Sequence, residues 1–293
     1  MSMLRQPAVA GHFYRGTKEA LRRQVEEFIV PAEKVRALGI VSPHAGLIYS
    51  GAVAGAVYSS IDLPDTFVLI GPNHTGLGAP VSIMCQGGWE TPLGAVDIDE
   101  PLARSILAKS PRIHEDSLAH LREHSLEVQL PFIQYFKKSF KIVPIQMLDT
   151  RLETCLEIGR AVGEAISERS PELGVSSQES RNEKLSTPNS VLRTPHDVLI
   201  IASSDMSHYE QAAVAKEKDY EAIRHILALD PEGLYYTVKN RGITMCGYGP
   251  AVAMLAACKI LGASEAKLVK YANSGEVSGD YEQVVGYAGV LVV

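Results

Sequence analysis

The chain has 293 residues, 46% hydrophobic and 21% charged, which is enough apolar side chain for a large core and excludes a disordered tail or a disulfide miniprotein. Its 28 basic and 34 acidic residues leave a net charge of −6; without a global positive field, nucleic acid is not an expected partner. The four cysteines show no CxxC spacing, residues 1–11 lack a secretory apolar stretch, and no 18-residue apolar run occurs, so a cytoplasmic protein with reduced thiols and no membrane partner is expected.

In chain order, helical spacing over residues 17–28 precedes strand-like runs at 37–41 and 67–70. Helical patterns follow at 101–108 and 125–136, a strand at 142–147 and a helix at 152–167. Beyond them come a strand at 198–202, helices at 212–229 and 250–261, and a closing strand at 284–293. The runs Phe67-Val68-Leu69-Ile70 and Val198-Leu199-Ile200-Ile201-Ala202 do not alternate polar with apolar, the pattern of strands covered on both faces. Alternating strands and helices predict an α/β fold: a three-layer α/β/α single domain, residues 1–293, around a mainly parallel or mixed sheet. Residues 170–195, rich in Ser, Asn, Gln, Glu, Pro and Arg, read as a mobile insertion loop in it.

Three strand-like runs end in polar clusters that each carry a histidine: Ser42-Pro43-His44-Ala45-Gly46, Gly71-Pro72-Asn73-His74, and Ser203-Ser204-Asp205-Met206-Ser207-His208. Parallel strands share one carboxyl edge, so these residues are expected to converge there. Cys246 sits in a Gly-rich turn, Met245-Cys246-Gly247-Tyr248-Gly249-Pro250, just before a predicted helix. A thiolate with two imidazoles suits iron, copper or zinc better than magnesium or calcium. Met206 and Met245 are nearby candidates for a weak axial copper ligand.

The segment Arg122-Glu123-His124-Ser125-Leu126-Glu127 reads as the entry to an amphipathic helix. Glu123 and Glu127, four apart, would share one face there and could orient metal-bound imidazoles or act as acid and base. Cys85, Cys155 and Cys258 read as packing residues, and His12, His114, His120, His196 and His225 as surface or capping residues.

These clusters, with Cys246-Gly247 and the opening Ala8-Val9-Ala10-Gly11-His12-Phe13-Tyr14, resemble the Memo family in order and spacing. The resemblance implies a fold similar to that of class III extradiol dioxygenases, whose iron is held by two histidines and a carboxylate. It places His44 and His74 at the histidine ligands, Cys246 where the carboxylate would be, and His208, with Asp205 beside it, at the catalytic acid/base. Eukaryotic members are linked to cell-motility signalling, and microbial ones look similar to a component encoded beside a radical-enzyme partner. The expectation is therefore a mononuclear centre of iron(II), or else copper or zinc, in an oxidoreductase acting on a small molecule. The alternatives are a metal-free hydrolase using Cys246, His208 and Asp205, or a non-catalytic cleft for a peptide or protein partner.

Overall fold

The computed structural model describes residues 3–169 and 197–293. The expected insertion loop at 170–195, and His196, lie outside the described residues. The chain opens with β1 (Leu4–Arg5) and α1 (Lys18–Glu26), then β2 (Gly39–Ser42), α2 (Leu47–Ser59) and β3 (Thr66–Pro72). Short strands follow as β4 (Val81–Ile83), β5 (Gly88–Thr91) and β6 (Gly94–Ile98), with α3 (Glu100–Ala108) and β7 (His114–Glu115) after them. Next come α4 (Leu130–Phe136), β8 (Lys141–Met147), α5 (Leu152–Ser167), β9 (Val198–Ser203), β10 (His208–Glu210) and α6 (Ala212–Leu227). The last elements are α7 (Pro231–Arg241), α8 (Tyr248–Ile260), β11 (Ala266–Asn273), α9 (Gly275–Ser278) and β12 (Val284–Val292).

All strands of the described residues join one mixed sheet in the order β1-β5-β6-β8-β3-β9-β2-β12-β10, with β11 also on β12, β4 on β8 and β7 on β4. Its centre, β8-β3-β9-β2, is parallel, and β12 closes antiparallel on β2. Every residue of β2, β3 and β9 is buried, as a parallel sheet between two helical layers requires. Glycines permit the close approach of both layers. A Cβ on Gly39 of β2 would lie 2.6 Å from Cys258 Sγ and Met254 Sδ of α8, and one on Gly289 of β12 would run into Val57 of α2. The expected α/β architecture is thus observed, with a mixed sheet.

Besides the single-turn α9, two helices escaped the sequence reading. Helix α2 is apolar all round because it is buried on nearly every side, so it shows no periodic stripe. Helix α7 has start and stop signals, since Asp230 accepts from Gly233 N ahead of Pro231 and Gly242 ends the helix at φ 59°. The reverse error falls at residues 123–127: residues 123 and 124 belong to no regular element and 125–126 form a turn, followed by a single 3₁₀ turn at Glu127–Gln129 before α4 begins. Glu123 and Glu127 therefore do not share a helical face. Among the described residues no helix is long and apolar enough to cross a membrane.

Candidate metal centre

Strands β3, β9 and β2 are consecutive neighbours, so the loops beyond Pro72, Ser203 and Ser42 leave the sheet side by side. Proline at positions 43 and 72 has no N–H to give to a backbone ladder, and His44 and His74 follow within two residues. The turn before α8 brings Cys246 to the same edge. Gly247 allows this, since a Cβ there would collide with Ser203 O, and its own N–H donates to Ser204 Oγ at 2.9 Å. The ligand atoms of His44, His74 and Cys246 all lie within 4.8 Å of one another. Cys246 Sγ is 3.3 Å from His44 Nε2.

Hydrogen bonding fixes which nitrogen of each ring is free. Ser203 Oγ donates to Ser125 O at 2.6 Å and already accepts from Gln129 Nε2 at 2.8 Å. Its 2.9 Å contact with His44 Nδ1 is therefore an N–H donated by the ring, leaving the Nε2 lone pair beside Cys246. His74 Nδ1 faces Glu123 Oε1 at 3.0 Å; a carboxylate only accepts, so Nδ1 carries the proton and Nε2 is free. Two free imidazole nitrogens and a sulfur form a donor set that fits zinc, copper or iron.

The electrostatics of the two rings differ. Burial first, then the neighbouring His124 and His74, holds His44 neutral well below the ordinary histidine pKa. Burial also opposes charge on His74, but the Glu123 hydrogen bond and charge outweigh it and raise its pKa. Glu123 itself is fully buried; burial pushes its pKa up, yet His74 and the Ser125 amide bring it down to about 2. Burial and Asp205 push the Cys246 thiol upward, so sulfur becomes a thiolate donor only as a cation displaces its proton.

His124 joins this group more closely than the sequence suggested. Its ring stacks on His74 with centroids 4.9 Å apart, meets His44 edge-on at 5.5 Å, and rests against Phe13 at 4.7 Å. His74, Glu123 and His124 form a second set of closely spaced ligand atoms. Glu123 is already saturated there by the amides of His74, His124 and Ser125 and by His74 Nδ1, so hydrogen bonding accounts for that set.

Asp205, buried, accepts from the main-chain N–H of His44 at 2.8 Å and of Ala45 at 3.3 Å, and its own N–H points at Cys246 Sγ. Burial leaves its pKa raised, with the His44 amide opposing. His208 Nδ1 donates to Thr244 O at 2.9 Å, which leaves its Nε2 as the basic nitrogen. The carboxylate of Asp205 thus orients the His44 loop, and no hydrogen bond among the described residues joins it to His208. The Cys246-His208-Asp205 relay of the hydrolase alternative is not assembled, because the sulfur's imidazole neighbour is His44.

Glu127 stands apart from the imidazoles. Its carboxylate accepts from Arg5 Nη1 at 2.6 Å, Ala8 N at 2.7 Å, Val9 N at 3.1 Å and Tyr14 Oη at 2.5 Å. Both partners of the Arg5 pair are buried, and removing one member of such a pair costs about 3–5 kcal/mol. This is an anchor for the N-terminal segment, in place of the expected role beside the imidazoles. His120 also departs from expectation: it is fully buried edge-on against Trp89, and burial lowers its pKa to about 3. His225 bridges Asp230 and Thr237 at the start of α7, while His12 and His114 are exposed. Cys85, Cys155 and Cys258 are buried free thiols, and Met206 and Met245 are buried in the main core.

Fold and side chains together define an α/β protein with a histidine- and cysteine-lined candidate metal site at the carboxyl edge of its sheet. The chain belongs to the Memo-like family, whose profile, described as Memo-like protein, matches residues 5–291. It is similar to MEMO1 family proteins of Methanothermobacter thermautotrophicus, at 43% identity over 98% of this chain and 99% of that one, and of Methanosarcina mazei, at 45% over 99% of each. A third, from Aquifex aeolicus, is 43% identical over 98% of both chains. In fold it is similar to the crystal structure of the uncharacterized protein JW3007 from Escherichia coli K12, with a TM-score of 0.51, 11% identity, and coverage of 86% of this chain and 98% of that one.

Proposed function

We propose that this chain is a metal-dependent oxidoreductase of the cytoplasm acting on a small molecule, its ion held by His44, His74 and Cys246. The observation that carries the reading is the convergence of two Nε2 lone pairs, each fixed by a hydrogen bond on the opposite side of its ring, with one sulfur. Iron(II) is the ion we favour, with copper or zinc as competitors; when bound, iron supplies redox chemistry at positions three protein ligands leave open. His208, its Nδ1 proton committed to Thr244 O, offers Nε2 to take a proton from a substrate hydroxyl or return one. Asp205 keeps the His44 loop in place through two amides.

The test is elemental analysis of protein purified anaerobically and reconstituted with iron(II), beside a His44→Ala/His74→Ala variant, followed by oxygen consumption with a panel of small aromatic and aliphatic alcohols. One iron per wild-type chain and none in the variant supports the centre; equal iron in both removes it. A second reading is favoured by the exposed apolar residues Ile48, Tyr49 and Tyr209 close in sequence to His44 and His208. These would suit a peptide partner, in which case a Tyr209→Ala variant loses the partner in pull-downs and keeps its metal.

A further inference from the structure

We infer that Arg5 is a positioning residue for the metal centre, a single guanidinium that sets both imidazole-bearing loops at once. The inference rests on the metal reading above. Arg5 comes from β1, at the far edge of the sheet order from β2 and β9, and its side chain reaches the segment beside the site. That side chain is fully buried and stacks on Trp89 at 4.2 Å. It donates from Nε to His120 O at 2.7 Å, from Nη2 to Glu123 O at 2.6 Å and from Nη1 to Glu127 Oε2 at 2.6 Å.

The three acceptors span residues 120–127, where the chain between its two 3₁₀ turns has no regular hydrogen-bond ladder of its own. Here the planar fork of Arg5 does what a ladder does elsewhere. On one arm, fixing the Glu123 carbonyl fixes the residue whose carboxylate holds the His74 amide and Nδ1. On the other arm, Arg5 orients Glu127, which clamps Ala8, Val9 and Tyr14. Beside Tyr14, Phe13 packs its ring on His124, and its carbonyl accepts from Leu47 N at 2.8 Å, three residues beyond His44. Two ligand loops that share no hydrogen bond of their own are tied to one cation. Lysine, a point charge on a flexible stem, cannot serve three acceptors in one plane.

The experiment is cobalt(II) titration followed by visible absorption, with amide hydrogen exchange on the same metal-free samples. Arg5→Lys keeps a cation opposite Glu127 and loses the fork. Its cobalt affinity is expected to fall roughly tenfold, with an altered thiolate absorption band. The His74 and Ser125 amides are expected to exchange faster while the amides of β3 and β9 keep their protection. A merely stabilising role would move all amides together. The gentler Tyr14→Phe, which removes one donor from Glu127, is expected to weaken cobalt binding a few-fold and to speed exchange at Leu47 N; it carries the test if Arg5→Lys fails to fold. Folded variants with wild-type affinity and wild-type exchange at His74, Ser125 and Leu47 overturn the inference. Wild-type protein that binds no cobalt sinks the metal reading alone, and the exchange rates then decide the role of Arg5.

Discussion

His44 and His74 carry the same hydrogen-bonding instruction, Nδ1–H donated away from the site and Nε2 turned toward it, but they receive it from opposite kinds of partner. His44 is buried and leans on the neutral hydroxyl of Ser203, itself wired to Gln129 and Ser125. His74 is more exposed and leans on an ionised, buried carboxylate. The first ring is kept neutral and ready at any ordinary pH; the second is made more basic, a stronger donor to a cation and a better holder of a proton. The centre thus pairs a permanently available ligand with one that protons contest.

The largest break in that comparison comes from Glu123→Gln. The amide oxygen can take the place of Oε1 opposite His74 Nδ1 and the His124 and Ser125 amides, while the charge is lost and the NH2 replaces Oε2, the acceptor of the His74 amide. Metal affinity is expected to fall about 10–100-fold, measured by competition with a chromophoric chelator. The same variant should lose pH-dependent stability. Glu123 has a pKa depressed to about 2, so its contribution is present above the unfolded carboxyl value and fades as pH falls toward 2. An affinity unchanged in Glu123→Gln would show that the carboxylate merely fills space.

How much of this was readable beforehand follows the same divide. His44, Asp205 and His208 lie just beyond uninterrupted apolar strands, and strand ends are visible as a Val/Ile/Leu run meeting Pro, Ser and Gly. Cys246 was visible through its glycine turn ahead of α8. Glu123 was read as able to orient an imidazole, as it does at His74 Nδ1, but the backbone that carries it was not legible. Residues 123–127 have helical spacing, but the backbone is set by Arg5 from 118 residues away, and no local window contains that partner. His120 misled for the same reason, its burial arising from Trp89 and Arg5. Helix α2 was hidden by being buried on nearly all sides, which erases the stripe that periodicity needs.

The next effect is a slope with pH. Cation capture must displace the proton of Cys246, whose thiol is pushed well above the ordinary value, and, below the raised pKa of His74, that ring's proton as well. His44 contributes none, being already neutral. Apparent affinity is therefore expected to rise about tenfold per pH unit on the alkaline side of the His74 transition, steepening toward a second proton on its acid side. Calorimetry in buffers of different ionisation enthalpy counts these protons directly. A pH-independent affinity would remove Cys246 from the ligand set.

The smallest effect is expected at Ser203→Ala, on the neutral side of the comparison. The substitution strips His44 Nδ1 of its acceptor, but Gln129 Nε2 keeps the carbonyls of Pro43 at 3.0 Å and Ser42 at 3.3 Å, so the surrounding main chain stays held. A neutral hydrogen bond is worth about 0.5–1.5 kcal/mol net, roughly 2–10-fold in affinity, provided the ring keeps its orientation through Asp205 and the His44 amide. Titrating Ser203→Ala and Glu123→Gln under identical conditions ranks the two supports. A greater loss at Ser203 would mean that the choice of imidazole tautomer, rather than the charge behind it, limits how tightly the ion is held.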